Sequence, residues 1–233
     1  MDKFVINGGK PLQGKVEISG SKNAALPIIA ATLLAPGNYL IENVPRLRDV
    51  RTMAHLLRII GAKVEADLDK HVLRIDTSHA DFLEAPYELV KTMRASIYVL
   101  GPLLARFHKA RVSLPGGCAW GPRPVDLHIR GMEKLGARLK LEGGYITGSG
   151  VKLSGSHILL DVPSVGATGN IMMAAVLAEG KTRIENAASE PEIVDLGRFL
   201  KKMGARIEGL GSRVIQIEGV NELNPVNYRV IPD

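Results

Sequence analysis

The sequence predicts an α/β domain made of three copies of one helix–strand–helix–strand–strand unit, with buried helices and outer sheets that keep one face in water. Three observations carry this expectation. The triplets Gly61-Ala62-Lys63, Gly136-Ala137-Arg138 and Gly204-Ala205-Arg206 each close a helical pattern and open a strand-like one, and a recurring motif of this kind marks a repeat architecture. The apolar positions ahead of the first and third triplets superpose without a gap: Val50, Met53, Leu56, Leu57 and Ile60 against Ile193, Leu196, Phe199, Leu200 and Met203. That spacing lays one apolar stripe along a helix, and a glycine directly after it is a good C-terminal stop. Finally, an Ala-rich apolar segment opens each unit, at Ala24 to Ala35, Val90 to Phe107 and Ile171 to Ala178.

The remaining elements follow in order. First strands are expected at Tyr39-Leu40-Ile41, Ala110 to Leu114 and Thr182-Arg183-Ile184. Two strands should follow each triplet: Lys63 to Ala66 with Val72 to Asp76, Arg138 to Glu142 with Ile158 to Asp161, and Arg206 to Glu208 with Val214 to Glu218. The units then span about 21–78, 87–161 and 163–220 of a domain at 21–229, flanked by a strand segment at 1–20 and a short tail at 230–233.

The middle unit breaks the rule. Counted back from the triplets, Ile41-Glu42-Asn43 and Ile184-Glu185-Asn186 correspond to Gly116-Gly117-Cys118. Two glycines there free the backbone, and the only cysteine of the chain follows them. In the same unit His128 and Gly131 stand where the apolar stripe has Met53/Leu196 and Leu56/Phe199. Departures from an internal template are where function is expected.

Composition narrows the function classes. The chain has 233 residues, 45% of them hydrophobic, which suffices for a sizeable core. Met1-Asp2-Lys3 leads into mixed sequence with no apolar signal region. The Ala24 to Ala35 stretch contains Pro27 and is too short to span a bilayer, so no membrane association is expected. A single cysteine excludes an internal disulfide and a cysteine-based zinc site within one chain, and it fits a reducing cytoplasm. His55, His71, His79, His108 and His157 show no ligand spacing. The net charge of +6 favours anionic partners. The cations are dispersed, however, and four Phe, five Tyr and one Trp make a poor stacking surface for nucleic acid. Phosphorylated small molecules are the better match.

Five segments then stand out: Gly20-Ser21-Lys22-Asn23-Ala24-Ala25-Leu26-Pro27, Lys91-Thr92-Met93-Arg94-Ala95-Ser96, Leu114-Pro115-Gly116-Gly117-Cys118, Arg123-Pro124-Val125-Asp126-Leu127-His128 and Ser164-Val165-Gly166-Ala167-Thr168. Together they resemble the UDP-N-acetylglucosamine enolpyruvyl transferases, and the resemblance runs the length of the chain. The sister 3-phosphoshikimate enolpyruvyl transferases share the fold but read differently around Gly-Ser-Lys and lack the cysteine loop. The resemblance implies an inside-out α/β barrel domain of three repeats, joined by a double crossover to a second, similar domain, with residues 1–20 packing on that second domain. It implies transfer of enolpyruvyl from phosphoenolpyruvate to the 3′-hydroxyl of UDP-N-acetylglucosamine, through a tetrahedral adduct, with release of phosphate and with no metal or organic cofactor. This chain stops at Tyr228 to Asp233, where members of the family cross into their second domain. That missing C-terminal domain carries the aspartate usually assigned as base, so the isolated half is expected to be inactive.

By the same resemblance, Cys118 is the acid–base group at the enolpyruvyl methylene and the thiol taken by the epoxide antibiotic fosfomycin. Lys22, Asn23 and Arg123 hold phosphoenolpyruvate. Arg94, Arg123, Pro124, Val125, Asp126, Leu127, Ser164, Val165 and Gly166 hold UDP-N-acetylglucosamine. Each has a plainer alternative. Cys118 could be a small buried hydrophobe, although cationic neighbours such as Arg123 would turn a thiol of ordinary pKa about 8.5 into a nucleophile. Ser21, Asn23 or Ser164 could simply cap a helix, and Asp126 could answer a helix dipole. Arg123, in the repeat position of Arg48, could be a solvated charge, and Arg94 could pair with an internal carboxylate. His128 reads as a satisfied core histidine. Val162, Trp120, Pro122 and Gly169 depart from the usual residues of the family. A nucleotide-sugar binding module without catalysis, or a paralogue for another anionic substrate, remains an open alternative.

Overall fold

A computed structural model describes residues 3–9, 11–91, 93–114, 125–149 and 152–233. The first unit runs α1 (Lys22–Ala31), β1 (Asn38–Glu42), α2 (Arg48–Ile59), β2 (Lys63–Asp67) and β3 (Val72–Asp76). A short β4 (Glu84–Ala85) leads into α3 (Tyr87–Val90), a 3-10 helix at Arg94–Val99, α4 (Leu100–Phe107), β5 (Lys109–Ser113), α5 (Asp126–Lys134), β6 (Leu139–Glu142) and β7 (Tyr145–Ser149). Then come β8 (His157–Leu159), α6 (Val165–Ala175), β9 (Lys181–Glu185), α7 (Pro191–Met203), β10 (Arg206–Glu208), β11 (Val214–Glu218) and β12 (Asn227–Arg229). The repeat architecture is therefore present as three helix-and-sheet units.

The triplet glycines do what the pattern asks of them. Gly61, Gly136 and Gly204 have φ of +102°, +90° and +113°, the left-handed conformation that ends a helix at little cost. Behind them lie amphipathic helices. Along the strands burial alternates, so one face of each sheet packs on the helices and the other is wet. In α1 and α6, by contrast, every residue from Ala24 to Ala31 and from Ala167 to Ala175 is buried. Small side chains make this possible, because they let helices approach on several sides at once.

Three differences from the sequence reading have clear physical causes. Val90 to Phe107 is not one helix: Met93 is extended, and a 3-10 segment precedes α4. Pro102 has no N–H to offer the preceding turn, so α4 can only begin close to it. The second strand after Gly136 is Tyr145–Ser149 rather than Ile158 to Asp161. Gly143 and Gly144 both take positive φ and fold β6 directly back onto β7. The register of the middle unit also shifts. Glu42, Ser113 and Glu185 hold the same place opposite Val72, Tyr145 and Val214. Nineteen residues separate Glu42 from Gly61 and Glu185 from Gly204, but twenty-three separate Ser113 from Gly136. The middle connection is thus four residues longer, and Leu114, not Cys118, matches Asn43 and Asn186. Asn43 and Asn186 sit at φ of +57° and +54°.

Each sheet has four strands, in the orders β12-β1-β3-β2, β4-β5-β7-β6 and β8-β9-β11-β10. The first strand of each is parallel to its neighbour and the others are antiparallel. These parallel edge strands follow the preceding unit in the chain: β4 passes from the first to the second, β8 from the second to the third, and β12 from the third back to the first. Asn43 and Asn186 secure two of these transfers, donating from Nδ2 to the carbonyls of Val230 and Leu160, each at 2.9 Å. At the ring closure Asp195, on α7 and 1% exposed, accepts from the Tyr228 hydroxyl at 2.7 Å and from the Ile231 amide at 3.2 Å. Burial raises the pKa of this carboxyl, and the two donors oppose the shift. The Tyr228 ring meets Phe199 edge-on at 5.3 Å. Beyond the ring, residues 3–9 and 11–19 are exposed, including Phe4, Ile6, Leu12 and Val16.

Two glycines set how closely the helices approach α6. A Cβ on Gly101 would lie 2.5 Å from both the backbone carbonyl oxygen and Oδ1 of Asn170, whereas one on Gly131 would lie 2.3 Å from Ile171 Cδ1. Ile171 can rotate, but the Asn170 backbone cannot. Gly101→Ala should therefore cost about 2–3 kcal/mol, in the range of core overpacking. In Gly131→Ala the helix-propensity gain of about 1 kcal/mol offsets part of the clash, leaving a smaller loss. Urea denaturation of the two variants checks this, and equal losses would contradict it.

Candidate active site

Three units in cyclic succession place three helical segments in equivalent positions. α1, the Arg94–Val99 helix with α4, and α6 pack on one another. Related by the repeat, they start at the same end of the domain. Unpaired N–H groups and aligned peptide dipoles make that end attractive to anions.

Lys22 and Asn23 are exposed on the first turn of α1. Ser21 does not cap this helix through its side chain; its N–H donates instead to the Ile231 carbonyl at 2.8 Å. Lys22 lies 3.6 Å from Asp49, with both side chains well exposed, a pairing that contributes little and leaves the ammonium available. Arg94 opens the 3-10 helix and is half-buried. Ser164 does cap α6, its hydroxyl accepting from the Ala167 amide at 3.3 Å, so the plainer reading of that serine holds. Val165 and Gly166 follow on the first turn, half-buried.

α5 delivers the next group. Val125 precedes it, Asp126 is its first residue and Leu127 its second, all half-buried. Asp126 reaches Arg130 at 3.9 Å, one turn on, while its Oδ1 is buried without a hydrogen-bond partner among the described residues. Arg130 is held more closely by Asp161, at 2.9 Å. His128, 5% exposed, packs beside the first turn of α6, where a Cβ on Gly166 would lie 3.1 Å from its Nε2. The fold thus brings Arg94, Asp126, His128 and Ser164–Gly166 together. Cys118, Arg123 and Pro124 lie outside the described residues, as do Trp120 and Pro122. Val162 is exposed, and Gly169 is buried against Tyr98 and Leu196.

The buried polar centre of this region was missed in the sequence. Asn170, wholly buried on α6, receives the Gly101 amide on Oδ1 at 2.7 Å and donates from Nδ2 to the Ile97 carbonyl at 2.9 Å. Its Nδ2 also meets His128 Nδ1 at 3.0 Å. An asparagine inside an Ala- and Met-rich helix was the available signal, since a buried amide must find partners. The nearest described residues hold no group of three or more His, Cys, Asp or Glu suited to a metal ion. No described helix is long and apolar enough to cross a membrane.

Burial lowers the His128 pKa from 6.5 to about 4; the Arg94 charge adds to this and Asp126 opposes it. The folded state therefore prefers the neutral ring. Its stabilising contribution is complete above pH 6.5 and is lost as pH falls from there toward 4. At about 1.4 kcal/mol per pKa unit, the loss should be on the order of 3 kcal/mol. Stability measured by urea at several pH values, for the parent and for His128→Gln, isolates this contribution. The parent should lose more stability than the variant between pH 6.5 and 4, and parallel profiles would contradict the assignment.

Comparison with known proteins adds the family. The chain is 61% identical to UDP-N-acetylglucosamine 1-carboxyvinyltransferase of Chloroherpeton thalassium, covering 100% of this chain and 54% of that protein. It is 57% identical to the protein of the same name from Cellvibrio japonicus, with coverages of 100% and 56%. The chain spans about half the length of the curated relatives it matches. Among solved structures, the enolpyruvyl transferase NikO from Streptomyces tendae superposes with a TM-score of 0.83 at 26% identity, covering 97% of this chain and 53% of that one. An EPSP synthase from Acinetobacter baumannii, at 20% identity and a TM-score of 0.79, covers 97% of this chain and 51% of its own and shares the fold. Residues 6–233 match the sequence profile described as EPSP synthase (3-phosphoshikimate 1-carboxyvinyltransferase), and the chain belongs to that family.

Proposed function

We propose that this chain forms one half of an active site that transfers enolpyruvyl from phosphoenolpyruvate to the 3′-hydroxyl of UDP-N-acetylglucosamine, releasing phosphate. The observation that carries this reading is the shared end of the three helical segments. Lys22 and Asn23, Arg94, and Ser164–Gly166 stand at the starts of these segments, which supports a common binding region. Such an end suits two anionic substrates, and relatives above half identity carry the corresponding name. The sugar nucleotide would lie against Val125–Leu127 and the start of α6, with Arg94 and Arg123 at its phosphates. Phosphoenolpyruvate would be held by Lys22, Asn23 and Arg123.

In the reaction, Cys118 protonates the methylene carbon of phosphoenolpyruvate while the sugar hydroxyl bonds to the neighbouring carbon and gives its proton to a base. The resulting tetrahedral adduct loses a proton from the former methylene and expels phosphate, which regenerates the double bond. The base and the opposite wall would come from a second domain, on which the segment 1–20 would also pack and so cover Phe4, Ile6, Leu12 and Val16. The isolated half leaves substrates incompletely oriented and its turnover should be undetectable. We place the complete protein in the cytoplasm, at the start of peptidoglycan precursor synthesis.

Phosphate release from phosphoenolpyruvate, dependent on UDP-N-acetylglucosamine and measured with the second half supplied, tests the reading. No release would overturn it. A paired substitution tests the site. Arg48 starts α2 at the position that Arg123 holds when counted back from the triplet glycine. Arg123→Ala should lower the rate about 30- to 1,000-fold, the scale of losing one charged donor at a transition state, while Arg48→Ala should change it little. Equal losses would identify Arg123 as a structural arginine.

A further inference from the structure

The Asn170 amide is oriented without ambiguity. Its oxygen faces an N–H donor, Gly101, and its nitrogen faces a carbonyl acceptor, Ile97. The second hydrogen on that nitrogen therefore points at His128 Nδ1, 3.0 Å away. Nδ1 must accept, so in the neutral ring the proton resides on Nε2. An imidazolium would set one N–H against another. We propose that Asn170 is a positioning residue that locks His128 in the Nε2–H tautomer, so that the ring offers one uncharged donor to a phosphate oxygen of a sugar nucleotide at the start of α6.

The ligand part of this proposal rests on the reading of 125–127 and 164–166 as a sugar-nucleotide site; the tautomer does not. The geometry supports both. Nε2 lies against Gly166, where a Cβ would come within 3.1 Å, so glycine is what leaves the ring edge open toward the helix start. Among the described residues no hydrogen bond involves Nε2. Arg94 and Asp126 are the charged groups that act on the ring, and they act in opposite directions. His157, on the neighbouring β8, is paired with Glu185 at 3.2 Å. Burial and the amide donor together keep the imidazole neutral through the physiological range, so the donor would not switch off with modest pH changes.

Two-bond 1H–15N correlation spectra of the 15N-histidine-labelled chain read the tautomer directly. At pH 7, His128 should show a protonated Nε2 and a bare Nδ1; a protonated Nδ1 would overturn the proposal without any variant. UDP-N-acetylglucosamine is then added, a diphosphate diester whose charge is constant from pH 6 to 8. The Nε2 signal should shift together with the Gly166 and Ala167 amides. Shifts at those amides with Nε2 unmoved would overturn the donor role. No binding in either signal would count against the sugar-nucleotide reading and remove the ligand role, while the tautomer result would stand.

Asn170→Asp provides the second test. One carboxylate oxygen can still accept from Gly101, but the other now requires an N–H on Nδ1. The ring then donates from Nε2 only when it is protonated. Affinity of the variant should therefore fall roughly tenfold or more as pH rises from 6 to 8, the scale of losing a charge-assisted hydrogen bond, while the parent stays level. A variant profile as level as the parent's would refute the lock. If the variant does not fold, the parent spectra alone decide.

Discussion

A strand that leaves one unit to complete the sheet of the next is the constraint on which this domain depends. β4 and β8 make that transfer within the chain, and β12 makes it from the last unit to the first. No sheet is finished by its own unit, and each takes its parallel edge strand from the one before it. The closure is also secured by polar contacts. Asn43 holds Val230, Asp195 holds Tyr228 and Ile231, and Ser21 donates to the Ile231 carbonyl. Gly20 passes so near the Asn43 carbonyl oxygen that a Cβ there would lie 1.6 Å from it. Backbone crossing at this distance admits only glycine.

Closure of the ring is what turns a repeat into a site. It fixes three buried helical segments side by side, each opening its own unit. The groups at their starts differ by unit: a lysine and an asparagine on the first, an arginine on the second, a serine–valine–glycine turn on the third. Asn170 ties the second and third units together, pairing with the amide of Gly101, the carbonyl of Ile97 and a ring nitrogen of His128. A buried polar cluster stabilises only when all its members are matched. Here one amide matches three groups on three elements, and the glycines at 101 and 131 allow the helices to come close enough for it.

The repeat was legible because it is written in two robust signals, the helix stripe and the glycine stop. The stripe of α2 reappears residue for residue in α7, and all three stop glycines take positive φ. The transferred strands were not legible. β4 has two residues and β12 three, too few for an alternation to show, and their pairing is long-range. Counting from the glycines also concealed the four extra residues of the middle connection, which only the strand register reveals. At the site, Lys22, Arg94, Asp126 and Ser164–Gly166 could be singled out by motif, and the fold places them at helix starts. The role of His128 could not be read in full. Its place on the apolar stripe indicated burial, but nothing along the chain indicated that its partner lies on another helix 42 residues away.

The ring closure can be tested by removing Asn227–Asp233 and following amide hydrogen exchange across the chain. The Asn38–Glu42 strand should then lose its parallel neighbour, protection should fall first in α1 and β1–β3, and cooperative unfolding should be lost or shifted well down in temperature. Protection and melting unchanged from the parent would show that the first unit stands without the strand from the third, and would contradict the account.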